Sequence, residues 1–125
     1  MTTLYLAFNA LMYAGFALWC TLAPRSTRDY LGLEARNPAG ESEYLAVYGG
    51  LQAGLALYYA LACFAAEHRS SALWMSVLLY GCLASWRTLA LARFGFRALG
   101  NARLFYCAEL ALFLAALALL VGRTG

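Results

Sequence analysis

Polar positions in this chain gather in short intervals between four long apolar runs: Thr3 to Ala23, Tyr44 to Ala66, Ala72 to Leu91 and Ala102 to Val121. At about 1.5 Å rise per helical residue, a run of roughly 20 residues covers about 30 Å, the thickness of a hydrocarbon layer. A backbone in hydrocarbon must satisfy its own hydrogen bonds, so the runs predict four transmembrane helices. The polar intervals leave no room for a separate aqueous domain, and residues 1–125 are expected to form a single all-α, four-transmembrane-helix bundle with short loops.

Finer patterning appears within the runs. Tyr44, Tyr48, Gln52, Leu55 and Tyr59 recur at helical spacing and form one face of the second span, expected to look into the bundle. Gly49, Ala53, Ala56 and Ala60 make a small-residue stripe about a quarter-turn round, and Gly50 and Gly54 form a GxxxG pair nearly opposite Tyr48. Such stripes let helices approach closely, within one chain or across a seam with a second copy or another subunit. The first span places Tyr5, Asn9, Tyr13, Phe16 and Cys20 on one face, with Asn9 expected to hydrogen-bond another helix. An aromatic-lined pocket for a hydrophobic ligand between the first two spans, drawing on Asn9, Tyr13, Tyr44, Gln52 and Tyr59, is the alternative to simple packing of those rings.

Composition excludes a soluble domain, since 64% of the chain is hydrophobic and only 12% charged. All nine basic residues are arginine, and their placement sets an orientation. Arg25, Arg28, Arg36, Arg93, Arg97 and Arg103 lie in or beside the first and third loops, against Arg69 and Arg123 on the other side. The positive-inside rule therefore puts loops one and three in the cytoplasm and both termini together on the far, periplasmic side. No basic cluster suggests nucleic acid.

Pro24 ends the first helix, and the polar Arg-Ser-Thr-Arg-Asp follows it. The first run is read as a retained span rather than a cleaved signal, because only the amino terminus precedes it and Pro24 follows it directly. The first loop, Pro24 to Glu43, holds Tyr30, Leu31 and Leu33, enough apolar surface for a short interfacial helix. Trp19-Cys-Thr-Leu-Ala and Trp86-Arg-Thr-Leu-Ala end spans one and three, as a duplicated hairpin would leave them, although an Ala/Leu-rich chain also yields such matches by chance.

Polar groups well inside the spans are few, and beside Asn9 they include Gln52, Arg87 and Glu109. A lone charge at mid-membrane costs about 2.5–3.5 kcal/mol on insertion scales, so an Arg87–Glu109 ion pair is expected, with Glu43, Tyr48 and Tyr106 sharing the same half of the bundle. That cluster either staples helices or opens as a pocket for a headgroup, an anion or a proton. Cys20, Cys63, Cys82 and Cys107 fall at different depths without a CxxC pair, so neither a metal site nor a cofactor is expected. His68 sits in the outer turn as a solvated residue.

Glu43, then Tyr48-Gly49-Gly50-Leu51-Gln52 and Gly54 at the start of the second span, with Arg87 late in the third, resembles the small four-span bacterial proteins grouped as domain of unknown function 4345. Tyr44-Leu45 stand where such sequences often carry another arginine, so the resemblance assigns Glu43 no partner. It implies a multi-pass protein of the bacterial inner membrane and no particular activity. The leading expectation is a non-enzymatic accessory or scaffold subunit in the lipid bilayer. The alternative is a protein that binds a lipid or small hydrophobic molecule, in one version an isomerase-like enzyme using Glu43 or Glu109 for proton transfer.

Overall fold

The computed structural model of the chain describes residues 1–124, the side chains of Arg123 and Thr124 excepted. It is all-α, with no strand among the described residues, and four stretches are long and apolar enough to cross a membrane: Thr2–Leu22, Pro38–Phe64, Ala66–Phe94 and Ala102–Gly122.

Two helical hairpins make up the chain, one over Thr2–Glu67 and the other from His68 onward. The first hairpin opens with α1, Thr2–Leu22, and Pro24 then serves as the first residue of a short α2, Pro24–Leu31. Proline is well suited there, because a first-turn N–H has no intrahelical partner to lose. Gly32 closes α2 at φ 71°, and the Leu33 N–H reaches back to the Arg28 carbonyl at 2.9 Å. The first loop thus contains a short helix, as its sequence led one to expect.

The second span starts six residues before its apolar run. Asn37 caps α3, Pro38–Tyr44, by accepting the Gly40 N–H at 2.9 Å, and Pro38 occupies the first turn. Hydropathy cannot register this polar turn, whereas capping chemistry can. Asn37→Ala is expected to cost about 1 kcal/mol of local helix stability. Faster amide exchange over residues 38–44 would show it, and unchanged exchange would leave Pro38 in sole control of the helix start.

From α3 the helix runs directly into a π-helical segment, Leu45–Leu51, and then α4, Gln52–Phe64. The π segment contains Tyr48-Gly49-Gly50. Against it and α4 lies the buried face of α1: Tyr5, Leu6, Asn9, Tyr13, Ala17 and Cys20. Opposing residues are Gly49, Ala56, Tyr59 and Ala62, with the Tyr13 and Tyr59 rings stacked at 5.8 Å and 3°.

In the second hairpin, α5 (Arg69–Phe94) packs on α6 (Ala102–Thr124). Ala72, Ser76, Tyr80 and Ala84, one helical turn apart, form the buried stripe of α5, and Glu109, Ala116 and Leu120 are buried on α6. Gly81 permits the approach, since a Cβ there would lie 3.2 Å from the Phe113 ring. Gly95 (φ 84°) and Gly100 (φ 50°) bracket the 3₁₀ turn Phe96–Leu99 that joins the two helices. Large side chains such as Leu4, Leu11, Leu57, Leu78 and Leu114 are exposed and form the surface a bilayer would cover.

Candidate binding cleft and the paired charges

Tyr44 stands where α3 meets the π segment and organises the loop end of the first hairpin. Its side chain is buried, and its hydroxyl shares a hydrogen bond with Thr27 of α2. The neighbouring Arg28 places its guanidinium 5.3 Å from the centre of the Tyr44 ring and donates from Nη1 to Glu41 Oε2 at 2.5 Å. Tyr48, one turn on, stacks against Tyr44 with centroids 5.1 Å apart. An ion pair, a cation–π contact and a hydrogen bond thus tie α2 to the start of the second span.

Arg28, Tyr44 and Tyr48 line one side of a cleft of about 370 Å³, completed by Leu33, Glu34, Ala35, Gly40, Glu43 and Val47. It is an open cleft at the protein surface rather than an enclosed cavity. Arg28 is matched in charge by Glu41, while Glu34 and Glu43 are exposed and form no ion pair among the described residues. The cleft therefore combines aromatic and aliphatic walls with an excess of negative charge and hydrogen-bond acceptors.

The second hairpin carries a separate polar group. Arg87 Nε donates to Glu109 Oε2 at 2.6 Å, joining α5 to α6, with side-chain exposures of 31% and 11%. The same guanidinium lies 5.5 Å from the Phe105 ring. One residue along, the Thr88 and Tyr106 hydroxyls are 3.2 Å apart. Arg87 and Glu109 thereby match one another well inside their spans, as the cost of an isolated charge there requires.

Of the residues expected to share one polar cluster, Arg87, Glu109 and Tyr106 belong to the second hairpin, and Glu43 and Tyr48 line the cleft of the first. Tyr13 and Tyr59 fill the interface of α1 and α4 as stacked rings. Asn9 donates to the Tyr5 carbonyl of its own helix at 2.8 Å, and Gln52 reaches the Val47 carbonyl at 3.5 Å. Gly49 is buried against Thr21, whereas Gly50 and Gly54 are exposed. Sequence reasoning missed Thr27, Arg28 and Glu41, which look like ordinary solvated loop residues. The signal available was Asn37-Pro38, which marks a helix start and thereby puts Glu41 in an ordered first turn. Among the described residues no three His, Cys, Asp or Glu side chains come together as a metal site.

No curated protein and no solved structure matches the chain. The model of the family described as domain of unknown function (DUF4345) matches residues 1–120, nearly the whole length and including the cleft, the π segment and the Arg87–Glu109 pair. By that match the chain belongs to the DUF4345 family.

Proposed function

We propose that this is a non-enzymatic, multi-pass protein of the bacterial inner membrane, with loops one and three cytoplasmic, that binds a small amphipathic molecule in the cleft of its first hairpin. The observation that supports this reading is the stacked Tyr44–Tyr48 pair beside Leu33 and Val47, with two carboxylates at the same cleft, Glu34 and Glu43, that form no ion pair among the described residues. Apolar walls suit the hydrocarbon part of such a molecule, and Glu34 and Glu43 suit a cationic or hydrogen-bond-donating head. Arg28 and Arg87 are both engaged by carboxylates, an arrangement better suited to holding helices than to moving protons. Native mass spectrometry of the protein drawn gently from its host membrane tests the proposal. A discrete small molecule on the wild type, lost from Tyr48→Ala, is the expected result; a ligand-free wild type would sink it.

A second reading, an accessory subunit or homodimer, is favoured by a different observation. A Cβ added at Gly54 would meet nothing within 4 Å, and one at Gly50 only the Leu45 carbonyl at 4.0 Å, which leaves room for a foreign helix. In that case the same spectra would show a stoichiometric second polypeptide, and Gly54→Leu would release it.

A further inference from the structure

The turn between α5 and α6 carries a charge imbalance that the cleft does not explain. Between His68 and Glu109 the chain has no Asp or Glu, yet it holds Arg69, Arg87, Arg93, Arg97 and Arg103. Glu109 is already engaged by Arg87. Around the turn itself, Arg93, Arg97 and Arg103 form no ion pair among the described residues. The first loop is different, because Arg25, Arg28 and Arg36 are outnumbered there by Asp29, Glu34, Glu41 and Glu43. The positive charge therefore belongs to the second hairpin's turn and not to loops in general.

Local geometry holds part of this charge in place. Gly95 and Gly100 adopt the positive φ values that side-chain-bearing residues rarely adopt, and so set the path of the turn. Arg103 donates from Nε to the Gly100 carbonyl at 3.0 Å and lies 5.5 Å from the Phe96 ring, while Arg93 lies 5.9 Å from the Phe94 ring. Phe94 and Phe96 remain exposed, as do Leu89 and Leu104 on the helices leading in and out. Guanidinium groups ringed by exposed aromatics, one turn from apolar helix surface, are the combination that meets a phospholipid at headgroup depth. Arginine's planar fork binds a phosphate through paired hydrogen bonds, and the leucines supply a surface for acyl chains that a free phosphate would not use.

We infer that the α5–α6 turn, through Arg93, Arg97 and Arg103, is a docking site for the phosphate of an anionic phospholipid. The residues of this site all belong to the second hairpin. The full chain in detergent, offered equal amounts of phosphatidylglycerol and phosphatidylcholine, is read by native mass spectrometry for lipid adducts. Phosphatidylglycerol adducts should predominate, and each arginine removed should reduce the preference about fivefold, the worth of one basic residue near an anionic surface. R93Q/R97Q/R103Q should bring the ratio close to one. Arg97→Gln alone, which removes a side chain with no ion pair or hydrogen bond among the described residues, should lower it without disturbing the fold. R25Q/R36Q in the first loop should leave it unchanged. Equal adducts on the wild type, an undiminished preference in the triple variant, or an equal fall from R25Q/R36Q would each overturn the assignment.

Discussion

Arg87→Ala lowers the melting temperature of the protein in detergent, because it leaves the Glu109 carboxylate, 11% exposed, with no cation to meet. Removing one partner of a fully buried pair costs ~3–5 kcal/mol; with Arg87 itself 31% exposed the expected loss here is roughly 2–3 kcal/mol. Glu109→Gln costs less. Its amide oxygen still accepts from Arg87 Nε, and the long arginine side chain can carry its charge toward the headgroups. The double variant Arg87→Met/Glu109→Leu should melt near the wild type, since replacing both charges leaves neither stranded. A single Arg87→Ala variant that melts with the wild type would show that the pair does not hold α5 to α6.

Gly49→Leu produces the other large effect. A Cβ at this position would sit 3.0 Å from Thr21 Oγ1, and Thr21 is itself held by donation to the Ala17 carbonyl at 2.8 Å. The remaining leucine atoms have to enter the same contact, so α1 must move off the π segment. Overpacking of this kind costs about 1–3 kcal/mol and often more when backbone must shift. Gly54→Leu is the control, five residues further on and open to its surroundings. It should leave the melting curve of the isolated protein unchanged. If the two variants melt alike, the close approach at Gly49 is not what sets the spacing of the hairpin.

These two positions also show what could be read from the sequence. Arg87 and Glu109 were legible as a pair because each is a charge inside an apolar run, and antiparallel spans bring them to one depth. Pro24 was legible as the end of α1 because its ring and missing N–H leave no alternative. The small residues at Gly49 and Ala56 were legible as a packing stripe. Which of the adjacent glycines faces α1 was not, since Gly49 and Gly50 differ only by the helix's rotation, and that rotation depends on backbone hydrogen bonding. The cleft was harder still. Thr27, Arg28 and Glu41 acquire partners only because α2 and α3 fold the first loop back on Tyr44. Their residue types alone describe any solvated loop.

The π-helical stretch from Leu45 to Leu51 has a consequence for how such a chain can vary. A turn closed by i→i+5 bonds holds one residue more than an α turn, so it acts as a phase shifter between the helix before it and the helix after it. Upstream, the phase aims Tyr44 at α2; downstream, it aims Ala56 and Tyr59 at α1. Gln52, at the point where the α pattern resumes, lends its side-chain amide to the Val47 carbonyl and eases the mismatch. A one-residue insertion or deletion in this stretch would turn Tyr44 relative to Ala56 and Tyr59. The widened turn thus lets the loop end and the packing end of a single helix vary apart in sequence, each under its own constraint.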